Sequence, residues 1–141
     1  MALRVLDASV FATLSPPRLA GSRCGPCGTS AFPRQRSCPR CGEASEQVAL
    51  PRSGTVWTWT VQHVAPKEPY QPPAEGFVPF AVGYVDLGDL LVESRLAVTD
   101  LQALRIGLPV RLALLPLWRD PDGLQVATYA FALDEDDDTN A

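Results

Sequence analysis

Four cysteines constrain this chain more than any other feature of its sequence. They form two pairs of equal spacing, Cys24-x-x-Cys27 and Cys38-x-x-Cys41, and a glycine follows each pair at once. A C-x-x-C turn points two sulfurs at one centre, and two such turns complete a tetrahedral shell of four thiolates. The spacing therefore predicts a metal site whose ligands are these four cysteines.

Zinc is the predicted metal, and its predicted role is structural. A shell of four sulfurs leaves no open position for a substrate, so the metal is assigned to folding and not to catalysis. A module this small also needs a bound metal for its stability, because it buries too little apolar surface by itself. Iron in a rubredoxin-like site would use the same ligands and would indicate an electron-transfer protein, so it stays open. Disulfides fit a reducing cytosol less well, and no strand–helix unit suggests a thioredoxin-like role.

The length indicates either one ordinary domain or one small domain with an appendage. Of 141 residues, 46% are hydrophobic, which excludes a disordered chain. No apolar run is long enough to span a bilayer. The N-terminal residues lack the basic and then apolar pattern of a secretory signal. We therefore predict a cytoplasmic protein that does not enter a membrane.

Charge is distributed unevenly along the chain. The net charge of −4 depends on five acids at 134–138, and we predict an acidic, disordered tail over 134–141. Basic residues instead gather around the cysteines, where only Glu43 and Glu46 oppose them. They serve either solubility or an anion-facing surface for phosphate or an acidic partner. The basic residues are Arg18, Arg23, Arg34, Arg36, Arg40 and Arg52.

Short runs of alternating or β-branched residues, separated by proline and glycine, predict five strands after the cysteines. The first begins at Gly54, and the others cover 77–86, 90–98, 108–118 and 124–133. One helical turn, capped by Thr99 or Asp100, separates the third strand from the fourth. This order predicts an OB-fold, a five-stranded Greek-key barrel, with a sandwich of another topology as the alternative.

The predicted organisation has four parts. They are an N-terminal arm at 1–17, a zinc ribbon at 18–52, a barrel at 53–133 and the acidic tail. The arm is interpreted either as a short amphipathic helix that packs on a partner or as a mobile segment. In the first barrel strand, simple alternation places Trp57 and Trp59 on one face.

Several sequence stretches together carry a family resemblance that covers about residues 18–133. They are PRLAGSRCGPCGTSAFPRQRSCPRCG, LPRSGTVWTWTVQHVAP, FVPFAVGYVDL and LRIGLPVRL. Their order resembles the zinc-ribbon plus OB-fold proteins that accompany acyl-CoA enzymes. The resemblance implies a mostly β fold, with an N-terminal rubredoxin-like zinc ribbon followed by a five-stranded OB-fold barrel.

The same resemblance implies a function. Members are similar to non-catalytic accessory subunits of thiolases, of hydroxymethylglutaryl-CoA synthase assemblies and of steroid side-chain aldolases. The implied partner is a thiolase-like or aldolase catalytic subunit in a hetero-oligomer, and the implied shared ligand is a CoA thioester.

Aromatic and arginine side chains are the candidates for contact with substrate or partner. Phe32 lies at the tip of the ribbon hairpin and is predicted to be exposed. Together with Arg34 and Arg36 it would bind a pantetheine arm and its nucleotide across the seam between ribbon and barrel. The candidates on the barrel are Trp57, Trp59, Phe77 and Phe80, although core packing is the expectation for at least one tryptophan.

The sequence offers no assembled catalytic grouping. The single histidine, His63, ends a strand and is interpreted as an exposed or hydrogen-bonded strand-end residue, with a general-base role as the alternative. Nucleic-acid binding is the second candidate function, because OB-folds and zinc ribbons both support it. However, residues 53–133 carry five basic residues against eight acids, which disfavours affinity based on phosphate neutralisation.

Overall fold

The fold consists of a small sheet followed by a closed barrel. The computed structural model describes residues 3–67, 72 and 76–134. Within these residues, two short 3-10 turns, Ala8–Val10 and Leu101–Ala103, accompany ten strands. The strands are β1 (Leu3–Val5), β2 (Phe11–Leu14), β3 (Pro17–Cys24), β4 (Ser30–Ala31), β5 (Ser45–Ala49), β6 (Ser53–Gln62), β7 (Phe80–Asp86), β8 (Leu91–Leu96), β9 (Pro109–Arg119) and β10 (Gln125–Leu133).

The last five strands form the barrel. Each strand pairs with the next in the order β6-β7-β8-β10-β9, and β9 pairs again with β6. The β8–β10 pair is parallel and the other pairs are antiparallel. A 3-10 turn follows β8, where the Asp100 carboxylate accepts a hydrogen bond from the Gln102 N–H at 3.0 Å. The predicted OB-fold is therefore confirmed.

Strand β3 is the centre of the smaller sheet. It pairs with β5 along one edge, and with β2 and then β4 along the other. Leu19 on β3 and Leu50 after β5 are buried in the same apolar cluster as Val56, Val85 and Phe131 of the barrel. The predicted zinc ribbon is thus present, and it shares one hydrophobic core with the barrel.

The N-terminal segment is neither a helix nor a free arm. Strand β1 pairs in parallel with the first half of β10, Leu3 opposite Gln125, and Arg4 Nε lies 2.8 Å from Asp120 Oδ2. The expected helix or mobile arm is therefore wrong. The segment forms a strand because β8 pairs only with the second half of β10. The first half therefore has an open edge, whose backbone groups β1 satisfies.

The predicted part boundaries stay predictions. Of the predicted tail, 135–141 lies outside the described residues, whereas Asp134 forms an ion pair with Arg111 at 2.9 Å. Among the helical segments of the described residues, none has the length and hydrophobicity needed to cross a membrane.

A β-bulge in β6 separates the two tryptophans that alternation placed on one face. Val56 lies opposite Val85, but Thr58 lies opposite Tyr84, so Trp57 is an extra residue in the ladder. The bulge reverses the alternation, because one added residue exchanges inward and outward positions. Trp59 therefore packs against the core, whereas Trp57 is 53% exposed.

Gly83 of β7 is buried and lies directly opposite Trp59 in the ladder. A Cβ at this position would lie 2.3 Å from the Thr58 carbonyl oxygen and 3.1 Å from Leu96 Cδ1. We expect Gly83→Ala to lower the free energy of unfolding by about 1–3 kcal/mol, because backbone must move to admit the methyl group. Urea denaturation measures the change. Gly25→Ala is the control, since nothing lies within 4 Å of its added Cβ; equal effects of the two substitutions would contradict the interpretation.

Candidate metal centre and barrel surface

The two cysteine turns have the same local structure. In the first, the Gly28 N–H donates to the Cys24 carbonyl at 2.8 Å, and in the second the Gly42 N–H donates to the Cys38 carbonyl at 2.9 Å. Both glycines adopt the left-handed conformation, with φ of 74° and 83°. Only glycine adopts it without strain, so the glycine after each pair lets the chain turn back around its sulfurs.

The four predicted ligands come together in one cluster. Their sulfur atoms all lie within 4.8 Å of one another. Cys24 Sγ is 3.5 Å from Cys41 Sγ, and Cys27 Sγ is 3.5 Å from Cys38 Sγ. Zinc–sulfur bonds of about 2.3 Å in a tetrahedron place the sulfurs roughly 3.8 Å apart. The cluster therefore fits a structural zinc ion, which would be held by all four thiolates.

The surroundings of the sulfurs shift the pKa values of the thiols in different directions. The hydrogen bond with the Thr29 hydroxyl, and then the Thr29 backbone, lower the pKa of Cys27 to about 6. The Cys27 backbone N–H favours the Cys24 thiolate, but burial and the three other thiols outweigh it and raise the pKa of Cys24 to about 12. Protons therefore remain in the metal-free cluster, and a bound zinc ion would displace them.

Phe32 lies in the seam between ribbon and barrel. It is half-buried, and its ring packs edge-to-face on Tyr129 with centroids 5.6 Å apart. The Tyr129 hydroxyl donates to the Glu93 carbonyl at 3.0 Å. The predicted exposure of Phe32 was wrong, because the ribbon tip folds onto the barrel. Tyr129 was missed, since nothing near it in the sequence indicates a partner so distant along the chain.

Two grooves border this seam and meet at Arg95. The first, of about 410 Å³, includes Phe32, Val82 and Tyr129. The second, of about 530 Å³, is mainly apolar and includes Phe80. The Arg95 guanidinium lies 3.6 Å from the centre of the Phe80 ring, and Phe77 contacts Phe80 edge-on with centroids 6.1 Å apart. Phe32 and Phe80 therefore line neighbouring grooves.

Arg34 and Arg36 line a different groove, on the ribbon itself. Its volume is about 370 Å³, and its other lining residues are Gln35, Ser45 and Gln47. The structure therefore separates the predicted set, since Phe32 contacts the barrel while both arginines line the ribbon. We call this the arginine groove.

The outer surface of the barrel presents an exposed aromatic pair, Trp57 and Tyr84. Their rings meet edge-to-face with centroids 6.4 Å apart, although they are 53% and 41% exposed. His63, at the end of β6, is exposed, and no described serine, cysteine or carboxylate forms a hydrogen bond with it. Within the part of the chain that the structure describes, His63 is therefore not assembled with a nucleophile.

Comparison with known families divides the chain into two matched regions. Residues 12–46 match a model described as the ChsH2 rubredoxin-like zinc ribbon domain. Residues 47–115 match a model described as the ChsH2 C-terminal OB-fold domain.

Individual relatives match over shorter stretches. The chain is 37% identical over 71 residues to a DUF35 domain-containing scaffold protein of Methanocaldococcus jannaschii. The aligned stretch covers 49% of this chain and 47% of that protein. It is 34% identical over 76 residues to benzoylsuccinyl-CoA thiolase subunit BbsA of Thauera aromatica. That stretch covers 53% of this chain and 48% of BbsA. The chain thus spans about half the length of the curated relatives it matches.

A solved structure is similar over most of the chain. The Ltp2-ChsH2(DUF35) aldolase superposes with a TM-score of 0.61 at 26% identity, over 87% of this chain and 91% of that chain.

Proposed function

This chain belongs to the ChsH2 family, in which a rubredoxin-like zinc ribbon precedes an OB-fold, and we propose that it is a non-catalytic accessory subunit. Its partner would be a thiolase-like or aldolase catalytic subunit, and it would help to bind or channel the acyl-CoA substrate of that enzyme. The names of the similar proteins, a scaffold protein, a thiolase subunit and an aldolase, support this proposal. Steroid side-chain degradation stays a prediction from the sequence resemblance.

The observation that carries the proposal is the exposed aromatic pair on the outer surface of the barrel. Large aromatic side chains are enriched at protein interfaces and contribute much of the binding energy there. Trp57 and Tyr84 project from strands that share a core with the zinc ribbon. A partner that covers them would bury apolar surface that is now in contact with water.

Nucleic-acid binding receives less support from this surface. Stacking platforms for bases lie beside positive charge that tracks the phosphate backbone. Tyr84 instead lies opposite Glu93 of β8, and Asp86 follows on the same side of β7. The pair of Trp57 and Tyr84 therefore lies beside carboxylates.

The experiment that tests the proposal is capture followed by reconstitution. The tagged, zinc-loaded chain is isolated from cells of its source, and bound proteins are identified by mass spectrometry. We expect a thiolase-like or aldolase subunit, which should cleave or condense its acyl-CoA substrate faster with the chain than without it. Turnover of the thioester by the chain alone, or full activity of the partner alone, would contradict the proposal.

The aromatic pair supplies a sharper prediction about this complex. We expect Trp57→Ala to weaken partner binding by about 2 kcal/mol, or roughly thirtyfold, as for a buried interface tryptophan. Surface plasmon resonance with the captured partner measures the change. Ile106→Ala is the matched control, because Ile106 is 72% exposed at another place on the barrel. If both variants bind the partner with equal affinity, Trp57 lies outside the interface.

A further inference from the structure

We propose that the arginine groove binds a diphosphate-bearing anion. The groove lies on the ribbon and includes none of the candidate aromatic residues. This inference deepens the proposed function and rests on it, because the CoA part of an acyl-CoA substrate carries a diphosphate. Its test uses the chain without a catalytic partner, so that failure of the site is distinguishable from failure of the accessory role.

The lining of the groove is rich in hydrogen-bond donors. The side chains of Arg34 and Arg36 are both exposed, and each guanidinium carries five N–H donors and no acceptor. Arg34 donates to the Gln47 side-chain oxygen, which leaves the Gln47 amide group free to donate into the groove. The hydroxyl of Ser45 adds a further donor at the same wall.

The groove contains no carboxylate that would neutralise these donors. Its lining residues are two arginines, two glutamines and one serine. Glu46 stands between Ser45 and Gln47 on β5, where strand alternation turns it to the opposite side. Arg23 of the ribbon lies 3.7 Å from Asp89, whereas no ion pair of the described residues includes Arg34 or Arg36.

Backbone contacts hold the two arginines in place. The Gln35 N–H between them donates to the Ser22 hydroxyl at 2.9 Å, and the Ser45 N–H donates to the Arg36 carbonyl at 2.9 Å. The backbone that carries both arginines is therefore held to the ribbon, so that less backbone entropy is lost on binding.

A diphosphate has the chemistry that this lining recognises. Its oxygens are acceptors that bind guanidinium groups in pairs of parallel hydrogen bonds. Two arginines that line the same groove can bind two adjacent phosphoryl groups. The volume, about 370 Å³, is sufficient for a diphosphate with part of its substituent.

Isothermal titration calorimetry of the zinc-loaded full chain with pyrophosphate tests the proposal. We expect binding that weakens with added salt, and a loss of affinity of about tenfold or more for Arg34→Gln and for Arg36→Gln. Arg105→Gln removes the same charge from an exposed position on the barrel, and we expect it to bind like the parent chain. Shifts of the Ser45 and Gln47 amide resonances would locate the site.

The remaining outcomes also decide the question. Tighter binding of ADP than of pyrophosphate would identify a nucleotide coenzyme as the source of the diphosphate, and equal binding would identify a free diphosphate; both support the proposal. No binding of pyrophosphate, or equal weakening by Arg105→Gln, would overturn it. Binding of a polyglutamate peptide without pyrophosphate would overturn it as well, because the groove would then recognise an acidic protein.

Discussion

Removal of the metal is expected to unfold the ribbon while the barrel keeps part of its structure. A structural zinc ion contributes on the order of 10 kcal/mol to the folding of a small ribbon, which is comparable with the whole stability of a typical domain. Without it, the Cys27 thiolate would repel other charged sulfurs, and two short turns would have to close with few apolar contacts. Strands β3, β4 and β5 should then lose their pairing.

Hydrogen exchange after chelation and dialysis measures this effect. We expect amides of Ser22 and Val48 in the ribbon to lose their protection, whereas those of Val85 and Val92 in the barrel keep a reduced protection. The reduction follows from the loss of Leu19 from the shared core. Addition of zinc should restore both regions.

A pair of variants separates the effect of metal loss from any other effect of the chelator. Cys24→Ser removes one ligand from the buried side of the cluster, and we expect loss of bound zinc with the same exchange pattern. Ser37→Ala changes an exposed residue beside Cys38, and we expect normal zinc content. A metal-free chain whose ribbon amides remain fully protected would show that the cysteines do not hold the fold.

Local signals explain why the metal ligands and the barrel strands could be predicted. Each cysteine turn is complete within five residues, and its glycine is required by the φ values of that same turn. Strands β7 and β8 alternate regularly between buried and more exposed positions, and Asp100 marks the start of the 3-10 turn that follows β8. These patterns depend on neighbours in sequence, so no knowledge of tertiary structure was needed.

The features that were missed depend on distant parts of the chain. Strand β1 is only three residues long, and it forms because β10 offers an open edge. The bulge at Trp57 is set by the register with β7, which alternation within β6 cannot reveal. Phe32 is covered by Tyr129 from the last strand. The division of candidate residues between seam, arginine groove and aromatic pair therefore became visible only in the structure.

The shared core leads to the second large effect, at Leu19. This residue belongs to the ribbon strand β3, yet its side chain is fully buried in the barrel cluster. We expect Leu19→Ala to lower the free energy of unfolding by about 2–5 kcal/mol, because it removes buried methyl groups and leaves a cavity. Chemical denaturation followed by far-UV circular dichroism measures the loss.

Leu14→Ala gives the matched control for this substitution. Leu14 lies on the neighbouring strand β2 and is 47% exposed, so the same chemical change should alter stability by less than about 0.5 kcal/mol. If ribbon and barrel were independent units, Leu19→Ala would leave the protection of Val85 and Phe131 unchanged. If they are coupled through packing, as the burial of Leu19 among barrel residues indicates, exchange at both positions should accelerate together with exchange in β3. The ribbon would then act on the barrel through packing, and the zinc ion would hold in place the same surface that presents Trp57 and Tyr84.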